Sequence, residues 1–331
     1  MSFYAIYFNS VTKIVVLVLA LSSTFLNLEC RPNDVKLIGG RNVAGNEGLF
    51  MGSLQRSSDG QHVCGAAFYS SFRLITACSC IYEGAISTVA RYTSRIPSDY
   101  QVTAGSRYNV KVDNEFIVVK VASLQVHPGC NVDEDTNMWV NDIGVIGLEE
   151  HLDQSSALKF IQYSSSQADY YEDLLRLTED TSYWLKGDKQ CYVFGWGHST
   201  YDTVGKALPI SPKSYLQTRA LQFLAPDECQ QLLCQVSDES CRFLPEQNNA
   251  FCAQSVEPGE GAFCYGDMGS PFVCDDILYG IASWNYECGI THKVNVIFKL
   301  DIPFMDGFKS SSQKSNTATS ALLIILFLRI Y

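Results

Sequence analysis

The 331-residue chain carries 24 Lys and Arg against 35 Asp and Glu, a net charge of −11, with 47% hydrophobic residues and thirteen cysteines. The acidic balance and the lack of any basic run exclude a nucleic-acid binder, whose phosphate contacts need clustered Lys and Arg. Thirteen cysteines without a CxxC pair exclude a reduced cytosolic protein with a structural zinc site; they point to an oxidising compartment, and the odd count leaves one thiol without a partner in its own chain.

At the N-terminus, Lys13 precedes the apolar run Ile14 to Leu21, and Ala20 and Ser22 supply the small residues that signal peptidase reads. Residues 1–22 therefore read as a signal peptide cleaved after Ser22. A signal anchor is the alternative, disfavoured because the run is much shorter than the ~20 residues that span a bilayer. From Leu37 to Phe308 the chain shows short apolar runs rather than long helical periodicity. These are Arg73 to Thr76, Phe116 to Lys120, Cys191 to Phe194, Phe272 to Cys274 and Ile277 to Ser283. They are rich in β-branched and aromatic residues and bounded by Gly, Pro, Asn, Asp or Ser, the pattern of an all-β protein. Two polar stretches, Ser165 to Gly187 and Pro226 to Asn249, read as inserted loops with some helix. No repeat or low-complexity linker divides the region. In the last segment, 309–331, small residues (Ser310, Ser311, Ser312) precede a polar spacer (Gln313 to Ser320) and an apolar stretch (Ala321 to Leu328). That is the order of a GPI-attachment signal, although Arg329 runs against it and a frayed tail is the alternative.

Several separated motifs occur in a fixed order. They are Leu37-Ile-Gly-Gly40 after Lys36, His62-Val-Cys-Gly65, Leu74-Ile-Thr-Ala-Cys78-Ser79-Cys80 and Asn141-Asp142-Ile143. Further on come Cys191-Tyr-Val-Phe-Gly-Trp-Gly197, Cys264-Tyr-Gly-Asp267-Met268-Gly-Ser-Pro271 and Ser283-Trp-Asn285. Together they resemble the chymotrypsin-like (S1) serine protease family over nearly the whole of 37–308. The resemblance implies a trypsin-like double six-stranded β-barrel with a short C-terminal helix, and a short propeptide, 23–36, released by cleavage between Lys36 and Leu37.

The resemblance also marks departures. In the family a Ser nucleophile, a His general base and an Asp that orients the His act with an oxyanion hole of backbone N–H groups. The triad-equivalent positions here are Ser79 for the base, Asp142, and Met268 for the nucleophile. A Ser hydroxyl is no base near neutral pH, and a Met thioether has no proton to lose and forms no acyl intermediate that turns over. The resemblance therefore implies a non-catalytic homologue, a pseudoprotease that binds or regulates other proteins in an extracellular proteolytic cascade of immunity or reproduction, with a residual or non-standard serine-type endopeptidase and a GPI-anchored surface binding protein as the alternatives. The oxyanion-type backbone would be that of Gly266 and Met268. The pocket-equivalent positions are Ala262, Ser283 and Asn285, with Asn295 the less secure match for a second pocket wall, so that side chains narrow or close the pocket. The activation ion pair would join the Leu37 α-ammonium to Asp267.

Stand-ins for the missing groups are few. Among the five histidines, His62 and His127 read as framework or surface residues, while His151, His198 and His292 carry no motif. Ser270 lies two residues beyond Met268, off the tip of the turn, and Cys78 is a nucleophile only if it is free of a disulfide. The resemblance pairs Cys64 with Cys80, Cys191 with Cys274, Cys264 with Cys288, and Cys252 with Cys229. Among the other five, Cys234 can pair with Cys241 and Cys78 with Cys130, which leaves Cys30, and with it a disulfide-linked dimer or a tethered propeptide. No metal and no cofactor is called for. The expected partners are extracellular proteins, namely proteases, other protease homologues or inhibitors, and the membrane only if the tail carries a GPI anchor. The loops around Tyr170-Tyr171 and Cys229 to Cys241 are the candidate recognition surfaces.

Overall fold

Runs of β-branched and aromatic residues broken by turn formers fold as short antiparallel strands when each can bury one face against another sheet. The computed structural model describes residues 40–83, 93–179, 191–197, 214–256, 263–285 and 294–307, all within one unit, Val35–Tyr331. The expected signal peptide, Cys30, Lys36, Leu37, Ala262, His198, Cys288, His292 and the C-terminal tail lie outside the described residues.

Twelve strands close into two six-stranded barrels. The first is built from β1 (Met51–Arg56), β2 (His62–Ser70), β3 (Arg73–Thr76), β4 (Tyr100–Ala104), β5 (Ile117–Val126) and β6 (Gly144–Leu148). Its order is β6-β3-β2-β1-β4-β5, closed by the antiparallel pairing of β5 with β6. The second uses β7 (Cys191–Gly195), β8 (Gln217–Phe223), β9 (Ala250–Ser255), β10 (Pro271–Cys274), β11 (Ile277–Asn285) and β12 (Asn295–Lys299). Its order is β8-β7-β10-β11-β12-β9, closed by β8 on β9. Closure removes the unpaired edges that an open sheet would offer to other chains. Leu54, Phe68, Leu74 and Val102 fill the first barrel, and Phe251, Phe272 and Ile297 the second, all of them buried.

The two polar stretches are helical over much of their length. Helix α1 (Gln167–Glu179) buries Tyr170, Leu174 and Leu177, an i, i+4, i+7 stripe, against the second barrel. The second stretch forms α2 (Pro226–Val236) and α3 (Asp238–Arg242), then a 3-10 turn at Glu246–Asn248. Pro226 at the start of α2 loses no hydrogen bond there, because the first-turn N–H groups have no intrahelical partner. The final described element is α4 (Ile302–Gly307), the short C-terminal helix.

Disulfides tie the turns to the barrels. They join Cys64 to Cys80, Cys78 to Cys130, Cys191 to Cys274, Cys229 to Cys252 and Cys234 to Cys241. Cys264 is also disulfide-bonded, with its partner outside the described residues.

Candidate functional site

Ser79 sits in the 3-10 turn Cys78–Cys80 that follows β3. Two disulfides hold this turn, one from Cys80 to β2 and one from Cys78 to Cys130, so the Ser79 backbone is fixed from both sides. Asp142 precedes β6, in a turn where Asn141 takes φ +47°, a left-handed conformation that Asn tolerates better than most residues. Met268 lies on the loop from Phe263 to Ser270, which enters β10. The Met268 carbonyl accepts the Gly65 N–H at 2.9 Å and lies 3.6 Å from Cys80 Sγ, so the loop from the second barrel abuts the Ser79 turn of the first.

The structure brings Ser79 and Asp142 together. Asp142 is fully buried, and its carboxylate accepts the Ser79 N–H at 2.7 Å and the Ser79 hydroxyl at 3.0 Å. Ser283, which the resemblance places at the pocket, donates its buried hydroxyl to the same carboxylate. Burial pushes the Asp142 carboxyl above the usual carboxylate range, while the Ser283 hydroxyl and the Ser79 and Cys78 donors pull it back. The described histidines are engaged elsewhere. His62 is buried between Ser53 Oγ and the Gly266 carbonyl, each at 2.7 Å. His127 reaches Asp301 at 3.1 Å, and His151 pairs with Ser71 at 2.9 Å.

Neither nucleophile stand-in is placed to act. Ser270 is completely buried, its Oγ has no hydrogen-bond partner among the described residues, and it occupies the space a Cβ on Gly65 would need, 2.0 Å from that position. Cys78 is held in its disulfide with Cys130 and offers no thiolate. Cys78, Cys130 and Asp142 have donor atoms within 4.8 Å of one another, but with the two sulfurs bonded to each other the trio does not fit a metal ion. Met268 is part-buried and packs its thioether against the core.

Asp267, on the 263–270 loop, is the second buried carboxylate of the site. It accepts the Gly197 N–H at 2.7 Å and the Cys264 N–H at 3.0 Å. Glycine is required beneath it, since a Cβ on Gly195 would lie 1.8 Å from Oδ1 and one on Gly197 would lie 2.5 Å from Cγ. Burial pushes the Asp267 carboxyl up to about 7, with the two N–H donors acting in the opposite direction. In the pocket region Asn285 spans from the end of β11 to the Phe263 carbonyl. Asn295 lies opposite it in register but is buried in the barrel wall, donating to the Ala253 carbonyl at 3.1 Å.

Of the Tyr170-Tyr171 pair, which the sequence placed together on a recognition surface, Tyr170 is corrected to a core residue and Tyr171 faces solvent. Tyr170 is wholly buried, donating to the Tyr279 carbonyl at 2.6 Å and accepting the Leu300 N–H at 3.1 Å, while Tyr171 is 46% exposed. Sequence reasoning did not foresee the links from His62 to Gly266 and from Ser283 to Asp142, which join residues 204 and 141 positions apart.

A family model described as Trypsin matches residues 37–306. The chain is 28% identical over 259 residues to "Trypsin beta" of Drosophila erecta, spanning 78% of this chain and 82% of that protein. It is 29% identical over 273 residues to "Trypsin-3" of Salmo salar, spanning 81% of this chain and 89% of that one. Among solved structures, human heparin binding protein superposes with a TM-score of 0.54 at 19% identity over 82% of this chain and 96% of that chain, a likeness of fold.

Proposed function

The chain belongs to the trypsin family of chymotrypsin-like serine proteases, and on that premise we propose that it is a catalytically inactive member, secreted, that works by binding other extracellular proteins. The observation that carries this reading is the pairing of Ser79 with Asp142. The carboxylate that would orient a base in a working member instead accepts two donors from a serine. With Met268 on the facing loop, the described residues around Asp142 offer neither a group to take a proton nor one to form an acyl bond. Asn285, bonded to the Phe263 carbonyl, narrows the region where a substrate side chain would enter. The disulfides suit a secreted protein. Proteases, other protease homologues and their inhibitors are the partners proposed.

Cleavage after Lys36 would act as a switch. A freed Leu37 α-ammonium paired with Asp267 supplies the buried carboxylate with a counter-charge and favours one arrangement of the 263–270 loop.

The test is activity-based labelling. Protein cut at Lys36 should resist a fluorophosphonate probe and leave a peptide library intact. Labelling that disappears when Ser270 or Cys78 is replaced would overturn the reading. Replacing Asp267 by Asn should make cut and intact protein bind a partner and resist proteases alike; a persisting difference would defeat the switch alone.

A further inference from the structure

The two polar stretches of the sequence, far apart in the chain, line one groove of about 680 Å³. Tyr171, Leu174 and Leu175 of α1 contribute to it, as do Leu224, Pro226 and Leu244 from the second stretch and its approach. Tyr171, Leu175 and Leu244 are among the large apolar side chains that this protein exposes. Exposed apolar groups gathered on one surface, rather than scattered singly, mark an interaction site.

The elements that flank the groove hold most of the protein's net charge. Gln167–Glu179 contains four acidic residues and one Arg, and 226–249 contains five acidic residues and one Arg. Their net charges of −3 and −4 make up seven of the chain's eleven net negative charges. Both arginines are already engaged, Arg176 with Glu172 and Asp173, and Arg242 with the Asp135 carbonyl. The five acidic residues of 226–249 are all exposed, and none makes an ion pair within 4.0 Å among the described residues. Within the lining, the charge of Glu246 acts on half-buried Lys299, so these two offset each other and Asp227 leaves the groove net negative.

Apolar walls edged by carboxylates select an occupant by sign. Anionic lipids, nucleic acids and a second copy of this acidic chain are repelled. A small amine would meet one carboxylate and leave the others without a partner. An extended peptide draws its affinity from main-chain bonds to an open sheet edge, and both barrels are closed. A helix with one aliphatic and one basic face covers the apolar walls and meets the carboxylates beside them. We propose that this groove docks a cationic amphipathic helix of a partner protein, its aliphatic side chains between α1 and the Leu224–Leu244 wall and its Lys or Arg side chains against Asp227 and the neighbouring carboxylates. The proposal rests on the reading of this protein as a binder of other proteins, and gives the partner a chemistry.

Fluorescence anisotropy with a labelled Leu/Lys peptide of about 15 residues, its leucines at i, i+3, i+4 and i+7, tests this. One saturable site is expected. A peptide of the same composition with its leucines scattered round the helix should bind about tenfold more weakly, and a Leu/Glu peptide of the same pattern should not bind. Leu175→Ser combined with Leu244→Ser, both on exposed positions, should weaken the Leu/Lys peptide about tenfold at every salt concentration. Asp227→Asn combined with Glu246→Gln should weaken it about tenfold at low salt and less at high salt. Asp59→Asn, on the β1–β2 turn of the first barrel, should bind as the native protein does. Equal affinity for the scattered peptide, binding of the Leu/Glu peptide, unchanged affinity in either groove variant, or an equal loss in Asp59→Asn would each overturn the proposal. So would a gain of about tenfold on removing residues 309–331, which would make that tail the occupant. Any of these results in protein that still resists the fluorophosphonate probe would strike the groove and leave the inactive homologue standing.

Discussion

Ser79 gives both of its donors to one carboxylate: its N–H reaches Asp142 Oδ1 at 2.7 Å and its hydroxyl reaches Oδ2 at 3.0 Å. With the Ser283 hydroxyl and the Cys78 N–H added, the buried carboxylate ties the Cys78–Cys80 turn and β11 to its own segment before β6. Asp142 therefore works as a structural node. Asp142→Ala should cost about 3 kcal/mol or more, because it strands several buried donors, whereas Ser79→Ala should cost about 1 kcal/mol. Denaturant unfolding at constant pH checks both. A loss under 0.5 kcal/mol for Asp142→Ala would contradict the node.

Asp267 sets a pH dependence whose sign follows from burial. Its carboxyl stands at about 7 in the intact fold against an ordinary value of 3.8, so the folded chain holds this proton more tightly than the unfolded one. The stabilisation is complete below about pH 4 and is lost as pH rises through about 7, at up to roughly 1.4 kcal/mol per pH unit. Carboxylates held low, such as Glu47 beside Arg41, act in the opposite direction, so the wild type must be compared with Asp267→Asn. Stability of intact wild type should fall relative to the variant between pH 4.5 and 7.5. Parallel profiles would mean that Asp267 titrates normally.

Gly65 and Ser270 are coupled by shape. A Cβ on Gly65 would lie 2.0 Å from Ser270 Oγ and 3.1 Å from Ser270 Cα. Gly65→Ala should therefore cost about 2 kcal/mol. Ser270→Ala removes a buried hydroxyl that has no hydrogen-bond partner among the described residues and should be neutral or stabilise by about 1 kcal/mol. Combined, the two should recover at least about 1 kcal/mol relative to additivity. Additive losses in the cycle would show that the Gly65 constraint comes from the backbone instead.

The barrels and much of the site were legible because their signals are local. Strands announce themselves as β-branched runs such as Phe272 to Cys274, and the Ser79, Asp142 and Met268 motifs are contiguous stretches that keep their meaning wherever they fold. What stayed hidden depends on partners distant in sequence. The hydroxyl of Ser283 turns to Asp142, and His62 bridges Ser53 and Gly266, through contacts that no local pattern encodes. The length of α1 was masked for a different reason. Its buried stripe of Tyr170, Leu174 and Leu177 is only three residues in an otherwise polar stretch, too narrow to outweigh the loop-like composition.

That stripe makes Tyr170 the pin of α1. Its ring is wholly buried, and its hydroxyl links the Tyr279 carbonyl of β11 to the Leu300 N–H just after β12. Burial holds its phenol far above the usual tyrosine range, so it stays neutral and serves as donor and acceptor at once. Tyr170→Phe keeps the ring but leaves a buried carbonyl and a buried N–H without a partner, at a cost of about 2 kcal/mol. Tyr171→Ala, on the exposed neighbour, should cost under 0.5 kcal/mol. Hydrogen exchange should show faster opening of Gln167–Glu179 in Tyr170→Phe than in Tyr171→Ala. Equal protection in the two variants would mean that α1 is held by its leucines alone.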